Sequence, residues 1–178
     1  ILGAGSGFDT AEAFKVLADG ALPASQTASL MRELAHAAGT QGMCGGQAID
    51  LAAVGQTITL PELERMHRMK TGALLRAAVL MGALSGQAVL LTESTREALA
   101  RYGDAIGLAF QVVDDVLDVE ATTETLGKTA GKDAAQSKPT YVSVMGLEAA
   151  RALSLRLRAQ SLEAIAGLGP RAARLRDL

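Results

Sequence analysis

Two capping boxes constrain this chain more than any other feature, because each opens a long stretch with helical apolar spacing. In Thr59-Leu60-Pro61-Glu62 a hydroxyl is followed three residues later by a carboxylate, with proline inside the first turn. The two side chains satisfy free backbone donors at the helix start, where proline's missing N–H has no helical partner anyway. From there the spacing predicts a helix to about Leu84. The second box, Ser94-Thr95-Arg96-Glu97, predicts a helix to about Val119. Further helices are expected over Asp9 to Asp19, from a Ser25 cap to about Ala53, over Thr140 to Ala166, and after Gly169-Pro170. Four glycines between Gly39 and Gly46 weaken the second of these helices but let another backbone or a ligand come close. Long helices joined by short links mean an all-α bundle. Composition agrees, since 34 Ala and 26 Leu stand against three Phe, two Tyr and no Trp.

Other classes fall away. Apolar residues make up 49% and charged residues 20%, which excludes intrinsic disorder. A net charge of −2 gives no electrostatic hold on nucleic acid or an anionic membrane. The longest uncharged apolar-leaning stretch, Ala77 to Thr92, is interrupted by Gly82, Ser85, Gly86 and Gln87 and is too short to span a bilayer. No secretory leader is recognisable. The single cysteine, Cys44, can form no internal disulfide and suits a reducing compartment. The start at Ile1 and the stop inside a helical stretch read as the ends of a segment of a longer protein, cut at the N-terminus and at the C-terminus. Residues 1–178 read as a single domain.

The acidic cluster Asp114-Asp115-Val116-Leu117-Asp118 falls near the end of the predicted fourth helix. Asp114 and Asp118 lie about 40° apart and share a face with Gln111 and Gly107. An apolar stripe of Leu99, Tyr102, Ile106, Ala109, Phe110, Val113 and Leu117 lies about a quarter-turn away. The carboxylates can therefore line a cavity beside the core. Three carboxylates at a helix C-terminus oppose the helix dipole and repel one another. A hard divalent cation held through oxygen would compensate; a solvated acidic turn is the plain alternative.

Lys70 is the second anomaly. It interrupts the stripe Leu63, Met66, Lys70, Leu74, Ala77, Met81, Leu84. A lysine there either meets an anion or snorkels at the stripe's edge. Thr71 and Gly72 follow it, a hydroxyl and a bare backbone beside the charge. After the acidic cluster comes a polar stretch, Glu120 to Pro139, long for a structureless loop and thus a candidate functional lid. Its lysines, Lys128, Lys132 and Lys138, suit a phosphate ligand shared with a metal, or form an ordinary charged loop. His36 and His67 lack metal-ligand spacing and read as surface or edge residues, and Cys44 reads as a small packing residue. No phosphate-binding loop of the Walker type, dinucleotide fingerprint or nucleophile elbow is present.

Four motifs occur together in order: Gly42-Met43-Cys44-Gly45-Gly46-Gln47; Lys70-Thr71-Gly72; Gly107-Leu108-Ala109-Phe110-Gln111-Val112-Val113-Asp114-Asp115-Val116-Leu117-Asp118; and Leu126-Gly127-Lys128. In this order and spacing they resemble the trans-isoprenyl diphosphate synthases, most of all the bacterial farnesyl diphosphate synthases. The resemblance runs from about Phe14 to Arg151. It implies an isoprenoid synthase-type helical bundle, present in its C-terminal portion, and a single polyprenyl synthetase domain. It implies a cytoplasmic homodimer that condenses an allylic diphosphate, dimethylallyl or geranyl, with isopentenyl diphosphate to give farnesyl diphosphate. The acidic cluster looks like the family's second aspartate-rich motif, with Asp114, Asp115 and Asp118 as ligands for Mg2+. Lys70 and Lys128 would hold diphosphate oxygens, with Gln47, Phe110 and Lys138 also on the substrate side. Thr71 and Gln111 would present oxygens to an allylic cation. The first aspartate-rich motif and the isopentenyl diphosphate site would lie upstream of Ile1, leaving the segment alone inactive. A geranylgeranyl or other chain-length synthase, or a non-catalytic regulatory subunit, are the rival expectations.

Overall fold

In the computed structural model the described residues are 22–86, 91–124 and 138–178, and every element among them is helical. The expected helix over Asp9 to Asp19 falls outside them, as do residues 125–137 of the polar stretch with Lys128 and Lys132. The elements run α1 (Ala24–Ala38), α2 (Met43–Ala53), α3 (Leu60–His67), a π-helical turn (Arg68–Gly72), α4 (Ala73–Leu84) and α5 (Glu93–Glu124). They continue with α6 (Tyr141–Met145), α7 (Leu147–Ala164), a 3-10 turn (Ala166–Ala172) and α8 (Ala173–Arg176).

Thr59 and Glu62 form the expected capping box at α3, with the Thr59 N–H donating to Glu62 Oε2 at 2.7 Å. The other predicted starts shift. Helix α1 begins after Pro23 rather than at Ser25, and it makes no side-chain cap bond. At α5 the hydroxyl of Thr92, not Ser94, accepts from a backbone donor, the Thr95 N–H at 3.2 Å. The single helix expected from Ser25 to Ala53 breaks between Gly39 and Gly42, where glycine offers no side-chain contact to carry the helix across. The helix expected over Thr140 to Ala166 divides at Gly146, whose φ of 84° lies in the left-handed region. Thr140 and Ser143 cap α6 reciprocally.

Helix α5 is the axis of the bundle, with α7 along one side and α4 and the π turn along another. The main core joins Leu63, Met66, Leu108, Val112, Tyr141, Leu153 and Leu157. A second core joins Leu80, Leu99, Tyr102 and Ile165, and a third seats Leu30 and Leu34 of α1 against Leu74 and Met81. This corrects the stripe expected on α5. Leu99, Tyr102 and Ala109 are buried, but Phe110, Val113 and Leu117 are exposed, and Leu108, Val112 and Val116 take the core positions. The helix is apolar on two faces, one in the core and one lining a cavity of about 1360 Å³.

Candidate active site

Close backbone contact assembles the site. A side-chain methyl at Gly46 would stand 2.2 Å from the Lys70 backbone nitrogen, so only glycine lets α2 rest on the π turn. On the other side a Cβ at Gly107 would stand 2.8 Å from the Gly72 Cα, so α5 touches the same turn. The expected close approach through the Gly39–Gly46 region is thus an approach to Lys70 itself.

The π turn was not foreseen. Its wider ring adds a residue to the helical repeat, a feature frequent at functional sites. The addition divides the expected Leu63-to-Leu84 stripe: Leu63 and Met66 enter the main core, whereas Leu74 and Met81 face α1. Lys70 falls in the turn between them, half-buried.

Lys70 does meet an anion, and it is one the sequence reading missed. Its Nζ donates to Asp50 Oδ2 at 2.8 Å. Asp50 lies on α2, one turn beyond the half-buried Gln47, and only 4% of its surface is exposed. Lys138 also approaches the same oxygen, its Nζ 3.9 Å away. A buried aspartate twenty residues upstream was the signal, but nothing in local spacing links it to Lys70.

A second polar chain runs across the bundle. The Thr71 hydroxyl donates to Gln111 Oε1 at 3.4 Å, Gln111 Nε2 donates to Asp115 Oδ1 at 3.2 Å, and the Tyr141 N–H donates to Asp115 Oδ2 at 2.7 Å. An ionised carboxylate only accepts, so Asp115 turns the Gln111 amide nitrogen toward itself and the amide oxygen toward Thr71. Asp115 is buried, with both oxygens engaged, and so differs from its neighbours in the acidic cluster. Asp114 is exposed and lines the cavity; Asp118 is half-buried.

His67 corrects the surface reading. It is buried and stacks on Tyr141 with ring centroids 5.4 Å apart; among the described residues neither ring nitrogen nor the Tyr141 hydroxyl has a hydrogen bond of normal geometry, though Gln111 lies close enough to the ring to act on its protonation. Burial, reinforced by the nearby Lys70 charge, lowers its pKa to about 4, so the ring is neutral. Burial likewise raises the Tyr141 phenol. His36 and Cys44 are exposed, the first as expected, the second not the packing residue it was read to be.

Of the expected site residues, Phe110 and Asp114 line the apolar cavity. Lys70, Thr71, Gln111 and Lys138 belong instead to the polar clusters on the α2 and π-turn side. Carboxylate oxygens suit magnesium, and Asp114 and Asp118 offer them one helical turn apart. Among the described residues no group of three His, Cys, Asp or Glu side chains is arranged to hold a metal by itself. No described helix is long and apolar enough to cross a membrane.

Comparison with known proteins gives these positions a context. The sequence pattern of the family described as Polyprenyl synthetase matches residues 7–166. The chain is 52% identical over 169 residues to the "Probable farnesyl diphosphate synthase" of Sinorhizobium fredii, covering 94% of this chain and 51% of that protein. It is 50% identical to the "Farnesyl diphosphate synthase" of Escherichia coli over 145 residues, 78% of this chain and 47% of that one. The fold superposes on the crystal structure of geranyltransferase from Helicobacter pylori complexed with magnesium and isoprenyl diphosphate. The TM-score is 0.78 at 29% identity, over 94% of this chain and 54% of that one. The chain spans about half the length of the curated relatives it matches. On the family match across most of its length, and on the shared all-α fold, this chain belongs to the polyprenyl synthetase family.

Proposed function

We propose that this chain is the C-terminal part of a farnesyl diphosphate synthase. The protein would join dimethylallyl or geranyl diphosphate to isopentenyl diphosphate with loss of diphosphate and a proton. The observation that carries this reading is the exposed Asp114 carboxylate in the wall of an apolar cavity beside Phe110, Val113 and Leu117. An allylic diphosphate has the matching form, a charged head and a hydrocarbon tail. The relatives at 50–52% identity carry the farnesyl name, which supports that product over a longer one.

In this reading Asp114 and Asp118 hold magnesium, with Asp115 bracing the turn from within. Bound magnesium would neutralise charge on the diphosphate and ease departure of the leaving group. Lys70, Lys138 and Lys128 bind diphosphate oxygens and orient the head. Gln47 stands on the same side of α2 as Asp50 and belongs to this polar wall. Thr71 and Gln111, joined by their mutual hydrogen bond, would offer oxygen dipoles to the developing allylic cation. Phe110 and its apolar neighbours pack the prenyl chain and exclude water. The proton lost in forming the new double bond passes to the departing diphosphate. A cytoplasmic homodimer belongs to the same proposal, and the exposed thiol of Cys44 suits a reducing compartment.

The test is turnover by the full-length protein of geranyl diphosphate and labelled isopentenyl diphosphate, with products separated by chain length. Farnesyl diphosphate is expected, and Asp114→Ala should lower kcat by at least about 10²-fold. A longer product would assign another chain length. No product from the intact protein would favour a non-catalytic subunit.

A further inference from the structure

One buried carboxylate has no place in the chemistry above. Asp50 is withdrawn from water, yet two ammonium groups converge on one of its oxygens, Lys70 at 2.8 Å and Lys138 at 3.9 Å. Both lysine side chains are only about 30% exposed. Two cations around one anion leave a net positive charge at a partly desolvated point, and such a point attracts a further anion. The two contacts are unequal. The Lys70 contact is a short, charge-assisted hydrogen bond, which fixes direction. The Lys138 contact is too long for a hydrogen bond and fixes only proximity.

We propose that Asp50 is a positioning residue of the diphosphate site, anchoring the Lys70 ammonium in one direction while giving Lys138 a resting partner that a diphosphate replaces. This rests on the reading above that both lysines serve a diphosphate. An ammonium group has three N–H donors. With one spent on Asp50, the other two of Lys70 are confined to the opposite side. Gly46 supports the same device from the backbone, because α2 can carry Asp50 to Lys70 only where no side chain intervenes. Lys138 keeps all three donors and shifts only its Nζ. Asp50 therefore acts against affinity, since it competes with the ligand for Lys138. It acts for rate, since the aim of Lys70 matters most when charge builds on the leaving diphosphate.

These opposed effects make the proposal testable in the full-length protein. Asp50→Asn still accepts from Lys70 but carries no charge, whereas Asp50→Ala removes both the acceptor and the charge. With geranyl and isopentenyl diphosphates, kcat should fall about 10-fold in Asp50→Asn and about 10²-fold in Asp50→Ala. Calorimetry with inorganic pyrophosphate and magnesium should show affinity increased in both, and unchanged affinity would remove the competition for Lys138 from the proposal. Wild-type kcat in Asp50→Ala would overturn the proposal. So would pyrophosphate affinity falling in step with kcat, which would make Asp50 a support of the fold or of the ligand itself. Should either variant fail to fold, Asp50→Glu carries the prediction on rate, lower kcat with pyrophosphate affinity retained. Lys70→Met and Lys138→Met tell this failure from failure of the underlying reading. If both bind pyrophosphate like wild type, the lysines are not the diphosphate site.

Discussion

Removing the Lys70 ammonium leaves the buried Asp50 carboxylate, among the described residues, with only the 3.9 Å contact to Lys138 as an ion pair. On periodicity alone, methionine should pack at position 70 without harm. The ion pair reverses that expectation, because breaking a buried pair from one side strands a charge. Lys70→Met should therefore destabilise the protein by about 2 kcal/mol, discounted for the partial exposure of Lys70. In urea denaturation, Lys70→Met with Asp50→Asn should recover most of that loss. His67 makes a second prediction at this scale. Its folded pKa of about 4 lies below the unfolded value of 6.5, so the unfolded chain binds the extra proton first. Stability is unaffected above pH 6.5 and is lost as pH falls from 6.5 toward 4, by up to about 3 kcal/mol. His67→Phe keeps the stack on Tyr141 and removes two buried ring nitrogens. Thermal melts should show a higher Tm at pH 5 and a shallower loss of Tm between pH 7 and pH 4.5; an unchanged slope would mean that His67 gains its proton without cost.

Among the elements, α6 donates a backbone hydrogen bond to a side chain outside itself. Asp115 accepts from the Tyr141 N–H at the first position of that five-residue helix, where backbone donors have no helical partner. Asp115→Ala should cost about 2 kcal/mol, because it strands that buried donor and frees Gln111. Amide exchange at Tyr141 should accelerate ahead of global unfolding, whereas uniform acceleration across the bundle would show that Asp115 does not act on α6 in particular. The all-α class, the Thr59 cap and the shared face of Asp114 and Asp118 were legible because each is written within one or two turns of sequence. The Asp50–Lys70 pair was not, because its partners stand on separate elements that meet only through Gly46. Nor was the π turn, since spacings of three and four read as one continuous α-helix and give no sign of the added residue. The face of α5 was misjudged for a related reason. With Leu108, Val112 and Val116 on one side and Phe110, Val113 and Leu117 on another, periodicity names two apolar faces without saying which one meets the core.

For the whole molecule, the proposed function assigns the second apolar face of α5 and the polar cluster by the π turn to the two halves of one ligand. In the proposed function the cavity would receive the prenyl chain, and the carboxylates and lysines would receive the charged head. Asp114 and Asp118 repel each other across one helical turn, so magnesium without a counter-anion gains only the carboxylates, while magnesium with diphosphate also gains the lysines. Metal and diphosphate should therefore bind together or weakly. Calorimetric titration of the full-length protein with magnesium, with and without inorganic pyrophosphate, measures this coupling directly. Magnesium affinity should rise at least about 10-fold with pyrophosphate present, a coupling of about 1.4 kcal/mol, and Asp114→Ala should abolish the rise. Equal magnesium affinity with and without pyrophosphate would contradict a shared metal–diphosphate site.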